Sequence, residues 1–359
     1  MKSPSPILDI QGNKIGRDYP TYFIADIAAN HDGDLERAKE LIYIAAEAGA
    51  DAAKFQHFKA ETIVSDFGFK TLGGQQSHQA NWKKSVFEVY KDASVSLDWT
   101  VTLKESCAKA GIAFFTSPYS IDIVEHIDPY VPAYKIGSGD ITWIEMVEHI
   151  ASKQKPYIIA SGASTIDDVL RAVSAGLAIN PMLCLMQCNT NYTASLENFK
   201  FIHLNVLKVY RQMFPDLVLG LSDHTPGLAT VLGAVSLGAH VIEKHFTDDI
   251  NRNGPDHKFS IDPISWHDMV ERTRELENAL GYGIKQVEAN EKETVVIQRR
   301  AIRAATDLAA GTTLTREHMS VLRPCPVDGL PPYCMNELIG KKIRYDVNVG
   351  EHFRWINLE

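Results

Sequence analysis

The 359-residue chain contains no run of about 18 apolar residues, so no membrane-spanning helix is expected. Its first residues, MKSPSPILDIQGNKIG, lack the basic start and apolar stretch of a secretory signal, and a cytoplasmic location is the expectation. Cysteine is scarce: five residues, none in C-x-x-C spacing, suggest neither a disulfide framework nor a cysteine zinc site. Cys184 and Cys188 fall in an apolar segment and read as core. Positive charge is also in deficit. Lys and Arg number 36 against 45 Asp and Glu, for a net charge of −9, and the basic residues are scattered rather than striped. Nucleic acid and anionic membrane are thereby disfavoured as partners. A small anion is not, because a few lysines and backbone amides can converge on one.

What the chain has is a repeated alternation. Short apolar runs at 22–30, 52–56, 112–117, 132–138, 157–162, 182–188, 217–223 and 239–246 are separated by helical patterns such as LERAKELIYIAAEAGA and IDDVLRAVSAG. About eight strand candidates over roughly 240 residues fit a (β/α)8 TIM barrel in the α/β class. An open doubly wound sheet shares the alternation, since periodicity does not report closure. The phasing is more telling: each run stays apolar until its C-terminal end and there turns polar. Lysine, glutamine and histidine at those ends are more than turn formation requires, and in a barrel all of them would face one rim.

Residues 62–95 are too long for a simple turn and carry Gly73, Gly74, Trp82 and Tyr90. They read as a lid or as a packed surface excursion. The boundaries expected are a barrel over 1–282, a polar linker over 283–298 and a small domain over 299–359. That last unit is near the lower size limit for independent folding.

The candidate chemistry sits at the strand ends. His224 and His245 end the last two runs, so their imidazoles could meet at one divalent metal with positions left for water or substrate. Surface or structural roles are the competing reading for any two of 13 histidines. Lys54 and Lys135 emerge from apolar surroundings and must meet an anion, turn neutral or reach outwards. With Thr116, Ser138 and Ser222 as hydroxyl donors, a phosphate or carboxylate site is the simpler reading, and a Schiff-base lysine is its rival. Asp26, Asp140, Asp223, Glu243 and Asp256 supply carboxylates for proton transfer or hydroxyl binding.

The ordered segments IADIAANHDGDLERAKELIYIAAEAGADAAKFQ, FFTSPYSID, YKIGSGD, LGLSDHT, VIEKHFTDD and GPDHKFSIDP resemble the N-acetylneuraminate synthase family, which includes legionaminic and pseudaminic acid synthases. The tail from about Arg300 is similar to that family's type III antifreeze-like domain, a β-clip. The resemblance implies condensation of phosphoenolpyruvate with the aldehyde of an N-acylated hexosamine, such as N-acetylmannosamine or a diacetamido-trideoxyhexose. It implies Mn2+ or Mg2+ on His224 and His245. Lys54, Thr116, Lys135, Ser138 and Ser222 are the implied phosphoenolpyruvate contacts, with Gln56 and Tyr192 close to the substrates. Asp256 is the implied sugar contact and Asp140 the implied general base. Arg323 matches an arginine that one subunit extends over the other's barrel, which implies a domain-swapped homodimer.

The departures are as informative. The family's usual glutamate is Asp26 here, a carboxylate retracted by one methylene. Its Ser-Thr-Gly is Ala160, Ser161 and Gly162, which would pass a phosphate contact to Ser161 or to a backbone amide. An asparagine contact falls at Thr190, between Asn189 and Asn191, and Cys325 replaces the glycine after Arg323 and Pro324. No metal ligand or lysine is lost.

Overall fold

The computed structural model describes residues 3–72, 79 and 82–359, so Gly73 and Gly74 lie outside the described residues. It divides into two compact units, Met1–Gly281 and Tyr282–Glu359. Among the described residues, no helix is long and apolar enough to cross a membrane.

A feature without a strong sequence signal comes first. Strands β1 (Ile7–Ile10) and β2 (Asn13–Gly16) form an antiparallel hairpin turning at Gln11 and Gly12. Its Leu8, Ile10 and Ile15 join the barrel's apolar core.

All eight apolar runs then form strands: β3 (Tyr22–Asp26), β4 (Ala52–His57), β5 (Ala113–Pro118), β6 (Tyr134–Ile136), β7 (Tyr157–Ala160), β8 (Leu183–Cys188), β9 (Val218–Asp223) and β10 (Val241–His245). They close a parallel barrel in which β10 returns to pair with β3. Closure settles the choice between barrel and open sheet. Helices cover the outside, and their starts and stops follow local chemistry. Thr165 and Asp168 form a capping box before Ile166–Ile179, and Gly111 takes φ 77° to stop Thr100–Ala110. Trp266 of the Pro263–Leu280 helix is fully buried, its ring edge-on to Phe23 and Phe246.

Strand alternation sorts side chains into a lumen face and a wall face. Ser222 faces the lumen. Its neighbour Asp223 faces the wall, where it accepts from Lys244 at 2.6 Å and from Thr225 and Thr230. This pair is almost wholly buried. Burial works against the Asp223 carboxylate, but Lys244 outweighs it and holds the carboxyl below its ordinary range. Asp223→Ala should therefore cost about 3–5 kcal/mol by leaving Lys244 uncompensated, read as a lower midpoint in urea unfolding. Because the folded pKa is depressed, the pair's contribution is present above the unfolded carboxyl pKa and fades as pH falls through the folded value.

The second unit has its own small core around Ile302, Leu314, Met319, Leu338, Ile343 and Phe353. Strands β11 (Ala301–Ala304) and β12 (Met319–Leu322) pair antiparallel. The stretch before them contains a helix, Lys292–Gln298. Arg323 follows β12, is exposed, and donates from Nε to the Gln298 carbonyl at 2.7 Å.

Candidate active site

One cavity of about 440 Å³ opens at the C-terminal ends of the barrel strands. Its floor is ionic. Lys54 and Lys135 are each 2% exposed, a burial that long cationic side chains accept only with partners. Lys54 donates to Asp26 at 2.6 Å, and Gln56 donates to the same carboxylate oxygen at 3.0 Å. The shortened acid thus reaches a lysine and an amide. Glu243 stands 3.4 Å from Lys135 and 3.9 Å from Lys54, and accepts from Ser222 at 3.2 Å. Burial opposes the charge on Lys54, but Asp26 and then Glu243 outweigh it and its pKa lies above the ordinary lysine value. Lys54 is therefore kept charged, which argues against a Schiff-base role for it, and Lys135 stands beside it against Glu243, so that two lysines are placed together where an anion could bind.

Two imidazoles occupy the rim above β9 and β10, ring centroids 5.4 Å apart. His224 Nδ1 lies 3.0 Å from the Asn189 carbonyl. A carbonyl only accepts, so Nδ1 carries the proton and Nε2 presents its lone pair. Burial lowers and the Cys188 thiol raises the His224 pKa, with Asn189 and Asp223 helping to leave it above the ordinary value. His245 is pushed well below the ordinary value by burial and by His224. Its Nδ1 is buried without a hydrogen-bond partner, and Nε2 is 3.6 Å from Asp26. Tyr192 and Phe259 pack against both rings. Among the described residues, no cluster of three or more histidine, cysteine or acidic side chains is arranged to hold a metal. A lone pair on one imidazole and an orphaned nitrogen on the other fit a cation held by two protein ligands and otherwise by water or substrate oxygens.

Two carboxylates complete the site. Asp140 is half-buried in a short turn after β6; burial raises its pKa to about 6 against the pull of Lys135. Asp256 is also raised to about 6, by burial first, although Ala29 N–H donates to it. Its loop is held by His257, whose ring nitrogens bond Thr247 and Asp32 at 2.7 and 2.9 Å.

Asp26, Lys54, Gln56, Lys135, Ser138, Asp140, Thr190, Tyr192, Ser222, His224, His245 and Asp256 all line this one cavity. Thr116 and Ser161 do not. Both lie one residue out of phase with the lumen. Thr116 is paired with Tyr134 on the wall face, where it donates to the Phe55 carbonyl and bonds His57. Ser161 follows lumen-facing Ala160, donates to Met186 O, and accepts from Tyr210 at 2.9 Å. The lumen hydroxyl on β5 is instead Ser117, level with Gln56, its Oγ buried without a partner. Asn189 and Asn191 are likewise committed elsewhere, to Phe201 O and to Thr193 and Asn198. Thr190 alone of the three lines the cavity, and it crowds Gly162, where a Cβ would sit 1.8 Å from its hydroxyl. Arg323 belongs to the second unit.

A closed parallel barrel with lysines and imidazoles gathered at its C-terminal rim defines a TIM-barrel enzyme. Residues 41–285 match the NeuB family and residues 299–359 match the SAF domain. The chain is 34% identical to N,N'-diacetyllegionaminic acid synthase of Legionella pneumophila, with 96% of each chain covered. It is 33% identical to human N-acetylneuraminate-9-phosphate synthase over 92% of this chain and 91% of the relative. The N-acetylneuraminic acid synthetase structure from Leptospira borgpetersenii superposes with a TM-score of 0.70 at 27% identity, covering 82% of this chain and 97% of that one. The chain belongs to the NeuB family of acid synthases and carries a C-terminal SAF domain.

Proposed function

We propose that the protein is a cytoplasmic nonulosonic acid synthase that joins phosphoenolpyruvate to an N-acylated hexosamine such as N-acetylmannosamine and releases phosphate. The observation that carries this reading is the juxtaposition, in one cavity, of a two-lysine anion cradle and a pair of imidazoles with open nitrogens. Lys54, Lys135, Ser138 and Ser222, joined by Ser117, bind and orient the carboxylate and phosphate of phosphoenolpyruvate. A divalent cation, Mn2+ or Mg2+, held by His224 and His245 would supply Lewis-acid polarisation of the aldehyde oxygen. Orientation of the enol then favours formation of the C–C bond from its C3 to the aldehyde carbon, which leaves C2 electron-poor and places negative charge on the aldehyde oxygen, the final acceptor of the proton that water gives up in the next step. Water adds to C2 and gives its proton to Asp140. The C2–O bond to phosphate then breaks, the electron pair leaving with the phosphate while the C2 hydroxyl becomes the ketone carbonyl and yields its proton to the departing phosphate. Asp256 accepts from a sugar hydroxyl, and Tyr192 packs beside both histidines.

Asp140 must be ionised to accept that proton, and its carboxyl is raised to about 6. The rate should rise with pH through about 6 and level off above. In Asp140→Asn that limb should vanish and kcat should drop about 10²–10⁴-fold; a profile that keeps the limb assigns it to another group.

The resemblance further supports a domain-swapped homodimer in which Arg323 reaches the partner's barrel; sedimentation as a monomer would remove that part of the reading. The reading as a whole is tested by phosphate release, which should require phosphoenolpyruvate, a hexosamine acceptor and a divalent cation together. Absence of turnover across a panel of acceptors would favour the second reading, a noncatalytic sugar-binding component of glycan assembly.

A further inference from the structure

Asp256 lines the cavity from the loop between β10 and the Pro263–Leu280 helix, and a second loop holds it there. That second loop joins β3 to the helix Leu35–Glu47. Three connections stitch the two together. Ala29 N–H donates to the Asp256 carboxylate at 3.0 Å. The buried Asn30 amide donates both to the Phe246 carbonyl at 2.9 Å and to Ser260 Oγ at 2.8 Å, and Ser260 in turn donates to the Asp256 carbonyl at 2.7 Å. Asp32 Oδ1 accepts from His257 Nε2 at 2.9 Å, directly beside Asp256 in the chain.

The last connection is the most heavily fixed. Asp32 Oδ2 lies 3.1 Å from Arg37 Nε and 3.0 Å from an Arg252 terminal nitrogen, and Arg37 is itself bidentate to Asp248 at 2.8 and 2.5 Å. Asp32 takes φ 53°, a left-handed conformation that aspartate tolerates better than most side chains. The fully buried His257 ring also supports backbone: a Cβ added at Gly254 would fall 2.6 Å from its Cδ2 and 3.2 Å from Asp32 Oδ1. The chain two residues before Asp256 therefore rests on the Asp32–His257 pair, and only glycine fits. Asn30, Asp32, Gly254 and His257 do not line the cavity, so none of them meets a substrate in it. None of these bonds reaches Lys54 or Lys135 either, which belong to β4 and β6. Resting on the synthase reading above, we propose that Asp32 and His257 are positioning residues for the acceptor sugar, fixing the Asp256 carboxylate against a sugar hydroxyl while leaving the phosphoenolpyruvate floor untouched.

The test is steady-state phosphate release by the full-length protein with phosphoenolpyruvate, Mn2+ and the faster of two acceptors, N-acetylmannosamine and 2,4-diacetamido-2,4,6-trideoxymannose. Leucine at 257 strands neither partner, because Asp32 keeps its arginines and Thr247 Oγ1 still donates to Asp248 at 3.2 Å. His257→Leu should raise the acceptor KM about tenfold or more, with the phosphoenolpyruvate KM and the bound Mn2+ within about twofold of the unsubstituted protein. His257→Gln, whose amide can donate to Asp32 in place of Nε2, should recover most of that loss. Gly254→Ala, which pushes on the ring and removes no hydrogen bond, should reproduce it, and carries the test if His257→Leu does not fold by near-ultraviolet circular dichroism. In an Asp256→Ala background, His257→Leu should change the acceptor KM by less than about twofold, because the group it acts through is gone. An unchanged acceptor KM in the folded variants, equal rises for both substrates, or a full additional loss on top of Asp256→Ala overturns the positioning role and leaves the synthase reading intact. No release by the unsubstituted protein with either acceptor overturns both.

Discussion

With His224 and His245 both replaced by alanine, the protein should fold, fail to retain Mn2+ after dialysis, and lose phosphate-releasing activity by about 10³-fold or more. The argument is geometric. Each ring is fixed from behind, His224 by the Asn189 carbonyl and both by Tyr192 and Phe259, so neither needs a metal to hold its place. What the rings lose on truncation is their outward nitrogen. Lewis-acid stabilisation is worth several kcal/mol of a barrier, and each 1.36 kcal/mol is tenfold in rate. Metal content by elemental analysis supplies a readout separate from turnover. Full activity together with unchanged metal content in the double variant would remove the imidazoles from the chemistry and favour the noncatalytic reading.

Lys135→Met should raise the dissociation constant for phosphoenolpyruvate, measured by titration calorimetry, and lower kcat/KM about 10²–10³-fold. Methionine keeps most of the volume and removes the charge that Glu243 faces at 3.4 Å. Truncating one member of a buried charge pair costs about 2–5 kcal/mol, much of it the penalty on the survivor. A second substitution separates the two effects. Lys135→Met with Glu243→Gln relieves the stranded carboxylate, so stability to urea should recover while phosphoenolpyruvate affinity should not. Recovery of both would mean that Lys135 serves the wall of the barrel rather than the anion.

Much of this is legible in the sequence, because a barrel writes itself there twice. The alternation of apolar runs with helical patterns marked its strands, and the polar residue ending each run marked its rim. The histidine and lysine positions followed from that phasing alone. Where the reading slipped, it slipped by one residue. Thr116 and Ser117 are adjacent hydroxyls, and composition has no preference between them; only pairing across β4, β5 and β6 says that Ser117 shares the lumen with Gln56 and Lys135. Ser161 failed for the same reason, since Ala160 already held the inward position. Glu243 was visible as a carboxylate, but its place between two lysines depends on strands far apart in the chain. The hairpin at Ile7–Gly16 had no polar rim to announce it, and its burial comes wholly from tertiary packing.

The pairing of β10 with β3 sets Asp26 beside His245 and ties the beginning of the barrel sequence to its end. During synthesis the lysine-bearing strands leave the ribosome first and the histidine-bearing strands last, and β3 waits unpaired on one side until β10 arrives. Domains generally fold as units, N-terminal first. Here the unit cannot be completed early: a nascent chain stopped before β10 has both lysines, one histidine and an open edge. Such a chain can neither close the barrel nor bring the two imidazoles together, so the assembled cavity awaits β10 and the Asp256 loop that follows it.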